Sequence, residues 1–280
     1  MSPAPRLEAL LRTMVATIRE PDAVERGASF FADRGLDARD QAALAGVDPQ
    51  AMFTYRSLVR GTLKTAIENE IPRTAALLGP RFQLDLDRYF AEAMPRSHYL
   101  RDVAFELVAF AAPGWAADPE VPPFTHDLAR HELCDFEVAA SPRGAAAQLA
   151  EPALDLERPV VFDGAVRLAR YDYPVHTIAP GVEVPRRETF LFVYRDADFE
   201  IRHLALTPLA AAVTEALLAG ETLGRAVTVA CEKLRATLSA ETLEGVAKLL
   251  ADYAERGVLI GSPQLDVGLR PDSHLPNESP

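Results

Sequence analysis

Proline and glycine cut the first half of this chain into short pieces, at Pro72, Gly79, Pro80 and Pro95. Proline lacks a backbone donor and its ring clashes with the preceding turn, so a helix stops before it or begins on it. Glycine takes a left-handed conformation without steric cost, so it closes helices. The marks predict a break at Pro72, a short helix closed by Gly79, a further helix opened by Pro80 and ended by Pro95, and a next one capped by Ser97. Between them apolar residues recur at three- and four-residue spacing: Leu58, Val59, Leu63, Ala66 and Ile67, then Phe82, Leu86, Tyr89, Phe90 and Ala93, then Leu100, Val103, Ala104, Leu107 and Phe110. Each such stripe has to be covered by other helices. With a loop expected over 113–123 and a last helix over 124–139, residues 1–140 form an all-α domain.

Residues 141–160, with Ser-Pro-Arg-Gly, an alanine run and two further prolines, have the composition of a linker. The pattern then changes period. Strands are expected over 166–173, 188–194 and 199–206, the last two joined at Arg195-Asp196-Ala197-Asp198. In the middle one Phe190, Phe192 and Tyr194 alternate with Leu191 and Val193, so both faces are apolar and the strand is central and covered. Thr207-Pro208 opens a helix to Leu218, a second begins near Thr222, and a third over 239–256 places Leu243, Val246, Leu250 and Tyr253 on one face. Gly257 stops it and residues 258–260 return as a short strand. This is a winged-helix-like domain with a small antiparallel sheet over 161–262, followed by a polar, mobile tail over 263–280. The fold class is α+β.

An apolar share of 49% with 25% charged residues is that of a globular protein, and 280 residues suffice for two domains. No stretch of about 18 uncharged apolar residues marks a membrane span, and the first residues lack the apolar core of a signal peptide. Cys134 and Cys231 lie far apart in expected helices, which fits a reducing compartment, so the cytoplasm is the expected location. The net charge is −12, from 41 acidic and 29 basic residues. Duplex binding gains its affinity from Lys and Arg on phosphates, so nucleic acid is disfavoured and a basic peptide or protein face is the better match.

His126, His131, Glu132, Cys134 and Asp135 are the one cluster with metal-ligand residue types, but on a helix only two or three of them converge, short of a tight site. The pairs Asp85 with Asp87 and Asp196 with Asp198 fall where solvated acids belong, on a helix surface and in a hairpin turn. There is no phosphate loop, no GxSxG and no HExxH, so catalysis has no visible seat. A sheet edge offers another possibility: an extended peptide can add to it as a strand. The candidate peptide-binding residues are Arg186, Arg187, Phe190, Phe192 and Tyr194, although for the two arginines a gatekeeper role against aggregation is the better reading.

The segment YRSLVRGTLKTAIENEIPRTAALLG at 55–79, continued by PRFQLDLDRYFAEAMPRSHYLRDVAFELVAFAAP and then PPFTHDLARHELCDFEVAA, resembles the HvfC/BufC family with its MbnC-like members, over roughly residues 37–140. Tyr55 with Arg56, Arg60 with Gly61, Pro72 with Arg73, Gly79, Pro95 with Ser97, and Leu128 through Glu132 carry the likeness; His131 and Cys134 depart from it. Members once labelled DNA-binding are understood as non-catalytic partners of multinuclear non-haem iron oxidases that modify ribosomally made peptides. In the C-terminal part, LTPLAAAVTEALLAGETLGRAV and LLADYAERGVLIG are similar to PqqD-like modules, which bind peptide leaders along a sheet edge. The resemblance implies an accessory subunit and not an enzyme, a precursor peptide, and a TIM-barrel oxidase that holds the iron, with no cofactor required of this chain. Tyr55, Arg56, Arg60, Arg73, Arg96 and Glu132 are its candidate partner-interface residues; the arginines equally suit helix ends as caps. The rival class is a winged-helix-type DNA-binding regulator, which the charge opposes.

Overall fold

The computed structural model describes residues 5–32, 34–142, 144, 150–151, 154–179 and 183–263. The chain divides into two compact units, and neither is one continuous stretch: one takes residues 1–136 and 171–188, the other residues 137–170 and 189–280. The expected division at 1–140, 141–160 and 161–262 is continuous and differs in this respect. Side chains of the helices hold residues 172–178 by their backbone. The Asp127 carboxylate accepts from the backbone N–H of Asp172 at 2.6 Å and of Tyr173 at 3.2 Å, and the Arg73 guanidinium donates to the carbonyls of Val175 at 3.2 Å and Ile178 at 3.4 Å. The expected tail lies, from residue 264 on, outside the described residues, as do residues 143, 145–149 and 152–153 of the expected linker.

The first unit is helical: α1 (Pro5–Arg19), α2 (Ala23–Arg26), α3 (Ala38–Ala45), α4 (Pro49–Glu70), α5 (Pro72–Leu78), α6 (Pro80–Glu92), α7 (Val103–Ala117) and α8 (Thr125–Ala140). Pro72 and Pro80 begin helices, as their missing donor requires. Gly79 joins them at φ 52° and ψ −126°, a positive-φ conformation that is not left-handed helical. The core gathers Ile67, Leu86, Tyr89, Phe90, Leu107 and Trp115. Leu58 and Leu100, placed on apolar stripes by spacing, are instead exposed.

Three local expectations are corrected. Ser97 does not cap α7: its hydroxyl donates to Asp102 at 2.5 Å and accepts from the Tyr99 N–H, and a 3-10 turn over Leu100–Asp102 leads into the helix. Pro113 does not open a loop but sits inside α7. An interior proline costs about 3 kcal/mol, and what lies beyond it offsets that cost. Trp115 is buried, and its indole N–H donates at 2.8 Å to Asp85. Asp85 is thereby corrected too: it is 2% exposed, not a solvated surface acid.

The second unit holds β1 (Ala150–Glu151), β2 (Val161–Phe162), β3 (Val166–Tyr171), β4 (Thr189–Arg195), β5 (Ile201–Leu206), α9 (Pro208–Leu218), α10 (Leu223–Leu234), α11 (Ala240–Glu255) and β6 (Leu259–Pro263). One sheet has the order β3–β4–β5, with β4 central, as its two apolar faces predict; β4 and β5 run antiparallel from Phe190 opposite Leu206 to Arg195 opposite Ile201. The short last strand does not join it. It lies between β1 and β2 in a second sheet. Thr207, Thr222 and Ser239 each accept a backbone N–H at the start of α9, α10 and α11, at 3.2, 3.3 and 3.2 Å. Phe192 stacks on Tyr253 at 4.5 Å between ring centroids, and the Tyr253 hydroxyl meets that of Thr214 at 2.8 Å. Val246 and Leu250 are buried beside them, while Leu243, expected on that face, is exposed.

Replacing Trp115 with Phe keeps most of the buried ring but removes the donor to Asp85, leaving a buried carboxylate short of one partner. A loss of about 1–3 kcal/mol is expected, read as a lower urea midpoint with an unchanged slope.

Candidate functional site

In the C-terminal unit the sheet ends at β5, which among the described residues has a strand neighbour on one side only. An edge strand presents alternate unpaired N–H and C=O groups, a template for another extended backbone. Beside this edge runs a groove of about 510 Å³. Its floor is apolar, from Leu204 and Leu206 of β5, Leu209 of α9, and Val246 and Leu249 of α11. Its α11 wall also carries Glu241, Gly245, Lys248 and Asp252, spaced at four, three and four residues and so aligned on one helix face. Asp252 is engaged by Arg256 at 2.8 Å, and Arg256 also donates to the Tyr194 hydroxyl at 2.6 Å.

The residues expected to touch a peptide are placed differently. Phe192 and Tyr194 are buried in the core under the helices and Phe190 is half-buried; β4 is already paired on both sides and has no edge to offer. Arg186 and Arg187 are exposed and belong to the first unit, where Arg186 pairs with Asp172 at 2.5 Å and the Arg187 N–H donates to the Asp172 carbonyl at 2.8 Å. The groove residues escaped sequence reading because the apolar alternation was strongest in the central strand. The available signal was Gly245, a glycine in the middle of a helix with no turn to make.

In the helical unit the family-like residues serve several ends. Arg56 is buried and donates to the carbonyl of Thr17 at 2.9 Å and to that of Glu20; Arg60 donates to Ile18 at 3.0 Å and Arg19 at 3.3 Å and pairs with Asp87 at 3.2 Å. Both thus satisfy the carbonyls that end α1. Burial presses both guanidinium pKa values downward. Glu132 is buried on α8 and accepts from the N–H of Arg73 at 2.7 Å, the N–H of Thr74 at 2.9 Å and the Thr74 hydroxyl at 2.6 Å, closing the N-terminus of α5. Burial raises its pKa, against those hydrogen bonds, which lower it. Tyr55 and the Arg96 side chain are exposed, and the Arg96 N–H donates to Glu106 at 2.8 Å.

The metal-type cluster on α8 does not gather. His126 is exposed, Glu132 is turned to α5, and His131 lies buried edge-on to the Tyr171 ring with Nδ1 3.9 Å from Asp135. Within either unit, among the described residues, no three His, Cys or carboxylate ligand atoms converge. Among the described residues no helix is long and apolar enough to cross a membrane.

This is an α+β protein whose C-terminal unit has, among the described residues, an open sheet edge with an apolar groove beside it. Residues 164–254 match the family model of the HvfC C-terminal domain, which supports membership of the HvfC family and fits a partner subunit. No curated protein matches this chain.

Glu70, at the end of α4, has one carboxylate oxygen buried without a hydrogen-bond partner among the described residues. Burial, then the charge of Asp102, pushes its pKa up from 4.5 to about 7. The folded state therefore keeps a proton that the unfolded chain has lost. The stability this gives is full below pH 4.5 and is lost as pH rises towards 7. Glu70→Gln should match the parent in thermal melts at about pH 4 and melt higher at about pH 8.

Proposed function

We propose that this protein is a non-catalytic partner subunit that holds a ribosomally made precursor peptide and presents it to a TIM-barrel, multinuclear non-haem iron oxidase. The iron resides in that partner and the modification takes place there. The observation that carries this reading is the unpaired β5 edge beside an apolar groove, within the residues that match the HvfC C-terminal domain. An added strand would take main-chain hydrogen bonds from β5 for affinity and place alternate side chains on the groove floor for specificity. Anchoring the leader raises the effective concentration of the attached core segment at the partner's active site to the millimolar range typical of short linkers. The helical unit supplies the docking face for the oxidase, with Tyr55, Arg73 and Arg96 the exposed candidates. The net charge of −12 favours this reading over a DNA-binding regulator.

The test is affinity purification of the tagged full chain from its native host, with mass spectrometry and iron analysis of what accompanies it. A stoichiometric iron-bearing protein together with a short peptide is the expected result. Recovery of the chain alone, or with nucleic acid that withstands moderate salt, overturns the proposal. Replacing Leu249 on the groove floor with Glu should remove the peptide from the purified complex while the oxidase remains.

A further inference from the structure

Gly245 lies in the interior of α11, where a glycine weakens a helix relative to alanine. Nothing among the described residues requires it. Its φ is not positive, and a Cβ built there would meet no atom within 4 Å. The space that the missing side chain leaves belongs to the groove, which Leu206, Leu209, Val246 and Leu249 also line. Gly61 in α4 has similar free space, but the groove it lines is made of α4 alone, whereas Gly245 lines the same groove as Leu204, Ala205 and Leu206 of β5, whose outer edge has no strand neighbour among the described residues. Glu241 and Lys248 flank Gly245 on the same helix face, and neither makes an ion pair among the described residues. At 1.5 Å per residue they stand about 6 Å and 4.5 Å from it along the helix axis.

We infer that Gly245 is the specificity pocket of the groove: the strand that β5 accepts inserts one large apolar side chain there, flanked by a basic residue at Glu241 and an acidic residue at Lys248. This rests on the reading that the groove holds a peptide, and it names the segment such a peptide must carry. Side chains on one face of a strand recur every second residue, about 6.7 Å apart. The two charged residues therefore sit two positions before and two after the apolar one, and long side chains cover the remaining distance. The order of charges fixes the direction of the strand. A bulky residue facing α11 elsewhere would meet the side chains of Val246 or Leu249 instead of a gap.

The experiment is selection of a displayed library of linear nine-residue peptides on the immobilised full chain, repeated on Gly245→Leu and Glu241→Lys. The parent should select one fixed leucine-sized or aromatic position with opposite charges two residues to either side. The best peptide should lose at least tenfold in affinity on Gly245→Leu and exchange its basic flank for an acidic one on Glu241→Lys. Gly245→Ala serves as the control for folding, since it should melt no lower than the parent and still weaken binding. Peptides that bind Gly245→Leu as tightly as the parent overturn the pocket and leave peptide recognition standing. A selection that converges on nothing overturns both, and so does a dimer of the parent chain that Gly245→Leu dissociates, because a second copy is then the occupant of the β5 edge.

Discussion

The C-terminal unit depends on the stack of Phe192 against Tyr253. One ring comes from the central strand and the other from the last helix, and their contact at 4.5 Å sets the distance of α11 from the sheet. The Thr214 hydroxyl on Tyr253 and the Arg256 guanidinium on Tyr194 fix the same helix at two further points. A helix so held cannot settle against β5 and close the gap beyond the sheet. The groove is thus the space left over when α11 is committed to β4, and its width follows from two aromatic rings buried in the core.

The helical unit solves a different problem, the ends of its short helices. Each end leaves backbone groups without partners inside the helix, and the punctuation at Pro72, Gly79 and Pro80 multiplies such ends. Side chains from distant elements meet the need. Glu132 accepts the donors that open α5, Arg56 and Arg60 supply the donors that α1 lacks at its close, and Glu106 receives the chain at Arg96 and Ser97, at 2.8 Å each. Residues chosen from sequence as interface candidates include several of these, because a charged side chain beside a helix break has the same appearance whether it faces a partner or a carbonyl.

Where one residue's own chemistry decides the outcome, the sequence was legible. Proline at the starts of α5, α6 and α9, the threonine cap at Thr207 and the doubly apolar β4 all act locally, and each stands where it was expected. What escaped reading depends on distant groups. Helix α7 runs on through Pro113 because Trp115 finds Asp85 thirty residues back, and Asp85 appears as a surface acid until that partner is known. The groove escaped for the same reason: its floor comes from three elements, none of them unusual alone, and only the unexplained Gly245 marked the place.

The chain passes from the first unit to the second, back at Tyr171 and out again at Thr189. Domains generally fold as units while a chain emerges during synthesis. Here the helical unit cannot be completed when its last helix has been made, since Asp127 and Arg73 still await residues 172–178. Strand β3 must leave the ribosome first, ahead of the strands and helices that will cover it. The order of synthesis therefore obliges the two units to mature together, and a cut at any single point between them would leave one unit without a segment that it needs.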